Sequence, residues 1–340
     1  MAQTILGLDI GGANLKAATA DKRAVSVPFP LWKQPDKLPA ALAELVAKFP
    51  EAEELAVTMT GELCDCFETK RDGVHAIVKA VRFASAGRPI RVWSTDGAFL
   101  NSEEAKANHM KVAASNWHAL GTFAGRYVPE GLGMLFDIGS TTTDIIPLVD
   151  GTPASRGRTD PERLMCQELV YLGTRRTPIC ALPEMGVAAE LFATTLDVYL
   201  ILGMIAENPE DTDTADGRTA TRAHAHARLS RMRCSDPELM AVEETAMLAE
   251  AAHDSIMKRL DYAFGHVRET AMLTGELQHR GGFASRTVLA GSGEFLARAL
   301  LIQRNADLND VVSLTDSLGG LLSACAPAYA VAVLAAERRA

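Results

Sequence analysis

The chain has 340 residues, 48% of them hydrophobic and 23% charged, which predicts a soluble globular protein of two domains and argues against wholesale disorder. A formal net charge of -9, with Lys and Arg scattered along the chain, offers no basic field for a nucleic acid. The longest apolar stretch, 191–206, is interrupted by Thr194, Thr195 and Asp197 and is too short for a bilayer, so no membrane association is expected.

Hydrophobic patterning predicts a buried strand over 4–9, a turn at Ile10-Gly11-Gly12-Ala13, and a second strand from Asn14 to about residue 20. A helix is expected over 37–49, strands over 55–59 and 90–93, and a helix over 116–127. From Leu132 the pattern restarts with a strand to Ile138, a turn at Gly139-Ser140-Thr141, a strand to Leu148, and the tight Asp150-Gly151 turn into a third strand. A long helix over 237–273, a strand over 287–290, a helix from Glu294, a strand over 311–314 and a final helix from Gly320 complete the chain. The expected division is 1–130 for the first lobe and 131–340 for the second, with an insertion at about 156–236 that selects substrate. Six scattered cysteines and the lack of a basic, apolar leader predict reduced thiols in the cytoplasm. Cys64-Asp65-Cys66 lacks the second pair that a closed zinc site needs.

The informative feature is a domain-scale repeat. Leu8 to Asn14 and Phe136 to Thr142 align without a gap, 137 minus 9 giving an offset of 128. In each copy an aspartate ends a buried strand and small residues follow. Gly11, Gly12, Asn14, Gly139, Ser140, Thr141, Thr142 and Thr143 would bring backbone amides and hydroxyls up to phosphate oxygens, while Asp9 and Asp137 would hold Mg²⁺. Lys16, on the strand after the first turn, is placed to reach a phosphate. Glu62 and Asp96, at predicted strand ends, are candidates for a general base. Gly291, Ser292, Gly293 and Glu294 form a glycine-rich turn at a helix N-terminus, where free amides favour a polar or anionic group. Arg228 and Arg231, three apart, could share a helix face as an anion clamp or pair with the acidic 207–218 loop. His224 and His226, two apart, point to different faces and do not form a metal pair.

These motifs resemble the superfamily of actin, the sugar kinases and the heat-shock chaperone ATPase domain, which implies an α/β, two-lobed, actin-like and ribonuclease H-like duplicated fold with a cleft between lobes. In that resemblance Asp9 to Asn14 is the first phosphate motif, Asp137 to Asp144 the second, and Leu289 to Glu294 the adenosine motif. Val57 to Leu63, Ser94 to Gly97, Ala114 to Trp117, Asp213 to Arg218 and Arg228 to Met232 further resemble the tetrahydromethanopterin-linked one-carbon-transfer proteins, relatives of the hydantoinases and oxoprolinases. The resemblance implies a Mg²⁺-dependent transferase of methanofuran or methylofuran biosynthesis. It would join an aminomethylfuran-methyl diphosphate to the phenol oxygen of a γ-glutamyltyramine and release diphosphate. ATP is not favoured as a cofactor on this view. An ATP-dependent small-molecule kinase or ATPase is the alternative, and a nucleotide-gated scaffold is a weaker third. The expected ligand is a small phosphorylated molecule; the oligomeric state, a homodimer included, stays open.

Overall fold

A computed structural model describes residues 4–183, 185–273 and 286–338. Strand β1 (Thr4–Ile10) is apolar and buried along almost all its length, as suits a central strand covered on both faces. Around it stand β2 (Asn14–Thr19), β3 (Ala24–Pro28), β4 (Ala52–Met59), β5 (Ile90–Trp93) and β6 (Phe99–Leu100), in the order β3-β2-β1-β4-β5-β6. The β1, β4 and β5 pairings are parallel and the rest antiparallel.

The second sheet repeats this plan. It contains β7 (Leu132–Ile138), β8 (Thr143–Val149), β9 (Thr152–Pro153), β10 (Leu169–Val170), β11 (Thr287–Ala290) and β12 (Val311–Ser313), ordered β10-β8-β7-β11-β12 with β9 paired to β8. As β4 runs parallel to β1, β11 runs parallel to β7. The hairpin registers match as well. Asp9 faces Lys16, and Asp137 faces Asp144, each seven residues on. The two lobes therefore share the central hairpin, its register and its parallel neighbour, and the fold is the two-lobed, actin-like α/β architecture that the sequence predicts.

Several elements differ from the sequence expectation, three of them helical. A helix at Lys70–Ala84, absent from that reading, is capped by Thr69 and buries Val74, Ile77, Val78 and Val81. The long helix starts at Val242, because Asp236 organises the residues before it into a turn by accepting from the amides of Glu238 and Leu239. The C-terminal helix is two pieces, Gly320–Ala324 and Ala326–Glu337, with Pro327 in the first turn of the second.

Two helices lie between the sheets and join the lobes. Trp117, Leu120 and Phe123 of the Asn116–Ala124 helix share a core with Leu135, Ile146 and Val288 of the second sheet. The Ala326–Glu337 helix, expected in the second lobe, packs on both sheets, with Tyr329 and Ala330 in the core of Leu135 and Val288 and with Val331 and Leu334 against Ile5, Ala56 and Trp93. Its alanines explain the close approach: a methyl group at Gly7 in β1 would collide with the Ala328 carbonyl. Among the described residues no helix is long and apolar enough to cross a membrane.

Gly7→Ala should push this helix off the sheet and lower the unfolding free energy by about 1–3 kcal/mol. Urea denaturation measures it; an unchanged midpoint would show that the helix does not depend on that contact.

Candidate active site

Both turns are closed in the same way. The Gly11 amide donates to the Asn14 carbonyl at 3.0 Å, and the Gly139 amide to that of Thr142 at 2.8 Å. Each is then braced by the end of the neighbouring parallel strand. The Ile10 carbonyl accepts from the amides of Thr60 and Gly61, each at 3.0 Å, and the Ile138 carbonyl from that of Gly293 at 2.8 Å. Thr58 faces Asp9 and Ala290 faces Asp137, so the bracing glycines, Gly61 and Gly293, occupy equivalent positions. Each is followed by a buried glutamate, Glu62 or Glu294. Among the described residues the amides of Gly12, Ala13, Ser140 and Thr141 donate no hydrogen bond, which leaves them for an anion.

Negative charge is concentrated behind the turns. Asp9 is buried with its Oδ1 unpartnered among the described residues. Burial raises its carboxyl above the ordinary range, and the Lys16 ammonium opposes this. Asp137 is pushed up to about 7, by burial first and then by the Asp144 carboxylate, with smaller increments from Asp9 and Glu294. Lys16 opposes the rise here as well, so its charge acts on both turns. Asp144 is held by the fully buried Arg163, whose Nη2 lies 2.8 Å from its Oδ1 while the guanidinium sits 4.1 Å above the Trp117 ring. Among the described residues no three Asp, Glu, His or Cys side chains converge as a preformed metal cage. An unpartnered carboxylate oxygen and a carboxyl destabilised by its acidic neighbours nevertheless suit Mg²⁺, which is usually held by one or two carboxylates with water and substrate phosphates.

Glu62 is 1% exposed and its Oε2 has no partner among the described residues. Burial pushes its carboxyl up to about 7, against the pull of its own amide, the Ala114 amide and the Lys70 ammonium. Gly73 lets the Lys70–Ala84 helix close on the Glu62 backbone, since a methyl there would strike the Glu62 carbonyl. Lys70 also bonds Asp160 of the second lobe at 2.9 Å, beside this carboxyl. Asp96, the other candidate base, is half-exposed and paired with Lys111 at 2.6 Å and Arg158 at 3.5 Å. The hydrogen bond from Lys111 holds its carboxyl below the usual range, so it is a weaker base than Glu62.

The other predicted residues have partners within the protein. Thr143 is buried and gives its hydroxyl to the Leu172 carbonyl at 2.7 Å, so it is not free for phosphate. Arg228 is wholly buried between Asp197, at 2.7 Å, and Asp216, at 3.0 Å, while Arg231 is exposed and turns to the Ala227 carbonyl. They form no clamp, and Arg228 anchors the acidic loop. His224 and His226 bond to different residues, Thr219 and Thr245. Gly291 and Gly293 pack directly on the second turn, where side chains would strike Asp137 and Ile138, and Ser292 reaches Thr174 at 3.1 Å. Glu294 accepts from the Thr315 amide at 3.3 Å.

A cavity of about 420 Å³ lies between the turns, lined by Gly12 and Ala13 of the first and Thr141 and Thr142 of the second. Its walls include Trp32 and Tyr171, which the sequence analysis did not single out. Arg176, also not anticipated, stands at 5.3 Å over the Trp32 ring. Trp32, beside Leu31, and Tyr171, between Val170 and Leu172, read in the sequence as ordinary apolar positions.

Fold and site together define a two-lobed, actin-like protein whose paired aspartate turns face one cleft. The hydantoinase/oxoprolinase family model matches residues 53–338, and the chain belongs to that family. Over 342 aligned positions it is 33% identical to a (4-{4-[2-(gamma-L-glutamylamino)ethyl]phenoxymethyl}furan-2-yl)methanamine synthase of Methanocaldococcus jannaschii, covering 97% of each chain. It is 32% identical over 211 residues to a Methanococcus vannielii protein of the same name, covering 59% of this chain and 89% of that one. Among solved structures, nucleotide-free acetone carboxylase superposes with a TM-score of 0.51 at 11% identity, over 98% of this chain and 70% of the other, a likeness of fold.

The raised Glu62 carboxyl has a consequence for stability. A native-state value of about 7 against an ordinary 4.5 means that the folded protein holds this proton longer, so stability is lost as pH rises through about 7. Glu62→Gln should therefore stabilise the protein at pH 8 by up to about 3 kcal/mol, and by much less at pH 5. Denaturant titrations at both pH values check this; destabilisation at pH 8 would contradict it.

Proposed function

We propose that the protein is a transferase of methanofuran-type cofactor biosynthesis that forms an aryl ether. It joins the methylene carbon of an aminomethylfuran-methyl diphosphate to the phenol oxygen of a γ-glutamyltyramine. The C–O bond to diphosphate breaks with its electron pair leaving on diphosphate, and the phenol loses its proton as the new C–O bond forms. The relatives' product carries a phenoxymethyl bond between its furan and its γ-glutamylaminoethyl-phenyl halves, which is the bond such a transfer makes.

The single observation that carries this assignment is the cavity where both turns and two aromatic side chains meet. The unbonded amides of Gly12, Ala13, Ser140 and Thr141 suit the diphosphate oxygens. Lys16, whose charge acts on both aspartates, adds a cation beside them. Trp32 and Tyr171 offer flat faces for the furan and phenol rings. Glu62 lies in sequence between the cavity-lining Thr60 and Leu63, and its unpartnered oxygen and carboxyl near 7 suit it to take the phenol proton at neutral pH. Asp9 and Asp137 would hold Mg²⁺, which as a Lewis acid offsets the charge gathering on a departing diphosphate. ATP has no place in the overall balance.

The test is to incubate the purified protein with Mg²⁺, γ-glutamyltyramine and the furan diphosphate and to follow the ether by mass spectrometry and diphosphate by a coupled assay. Ether and diphosphate should appear in equal amounts without ATP. Asp137→Asn should lower kcat by about 100-fold or more while leaving the circular-dichroism spectrum unchanged. No ether, under conditions where ATP is hydrolysed, would replace this assignment with a kinase or ATPase; full activity in Asp137→Asn would remove that carboxylate from the chemistry.

A further inference from the structure

A second cavity, of about 470 Å³, adjoins the first. It is lined by Asn14 and Ser140, one from each turn, and by Asn208, Glu210, Asp211, Thr212 and Asp213 of the acidic loop. Arg175 lines this cavity, and Arg176 lines both. Charges of both signs therefore meet in one small space. Asp211 is 2.8 Å from Arg175 Nη2, and Asp213 is 2.8 Å from Arg176 Nη2. Those bonds leave much of each guanidinium open: among the described residues Nε and Nη1 of both arginines donate no hydrogen bond. Glu210 is exposed, and its carboxylate makes no hydrogen bond or ion pair among the described residues.

This composition selects for a particular kind of ligand. The loop carboxylates repel a phosphate or diphosphate, and the arginines repel a simple cation. A zwitterion satisfies both sets. Resting on the transfer reaction proposed above, we propose that this cavity receives the α-amino-acid head of the acceptor. Arg175 and Arg176 take its carboxylate through their open nitrogens, and Glu210 takes its ammonium. Arg176 forms the passage between the two spaces. An acceptor with its phenol ring near Trp32 and Tyr171 threads its chain past this guanidinium and places the head beside the loop. Arg228, buried with Asp197 and reaching the more exposed Asp216, fixes the base of the loop that supplies Glu210, Asp211 and Asp213.

The test uses the full-length protein and three acceptors: γ-glutamyltyramine, glutaryltyramide, which lacks the ammonium, and 4-aminobutanoyltyramide, which lacks the carboxylate. Calorimetry measures their binding, and ether formation is assayed separately. The wild type should bind γ-glutamyltyramine about tenfold or more tightly than either truncated acceptor. Arg176→Gln should erase the preference for the carboxylate but keep that for the ammonium, and Glu210→Gln should do the reverse. Equal binding of all three acceptors, or variants that weaken all three alike, would overturn the subsite. Ether formation without this selectivity overturns the subsite alone; selective binding without ether formation overturns the transfer reaction alone.

Discussion

The ends of two central strands carry carboxylates that the protein buries without full compensation, and much of the structure is arranged around that cost. An ionised aspartate in such a place is stable only if something opposes its charge or a proton neutralises it. Asp9 has Lys16 across the hairpin. Asp137 faces a second carboxylate, Asp144, which Arg163 claims, and burial first and Asp144 second leave it with a strongly raised carboxyl. The two hairpins share one backbone plan, and this cross-strand exchange of lysine for aspartate is one of the differences that make them chemically distinct. A cation bound between them, together with an anion on the free turn amides, would relieve the strain on both.

The remaining elements hold those turns in place. Gly61 and Gly293 bring the neighbouring strands close enough to bond the turn carbonyls, and each delivers a buried glutamate at the next position. The first of these, Glu62, lies beside the interlobe Lys70–Asp160 pair. Helices between the sheets give both lobes a shared core, and Gly7 lets one of them close on β1 against the Ala328 carbonyl.

The turns were legible because their chemistry is local: an apolar strand, an aspartate, and small residues, repeated at an offset of 128. The strands over 55–59 and 287–290 were legible too, but their parallel pairing beside the hairpins is seen only in the fold. The Lys70–Ala84 helix carried a readable stripe of Val74, Ile77, Val78 and Val81, but its lysines, arginines and histidine disguised it. Arg163 could not be read at all, since arginine is ordinarily exposed and only the fold brings it to Asp144 and Trp117. Of the two readings open for Arg228 and Arg231, the clamp fails, and pairing with the acidic loop holds for Arg228, through Asp216. Thr143 reads as a fourth hydroxyl of the turn, yet the strand pleat directs it to the Leu172 carbonyl.

The central claim is that the two aspartate turns grip one diphosphate together. Calorimetric titration of magnesium diphosphate into the protein addresses it without requiring turnover. One binding event per chain is expected, weakened about tenfold or more by Asp9→Asn and by Asp137→Asn alike. Binding that survives both substitutions unchanged would contradict the account.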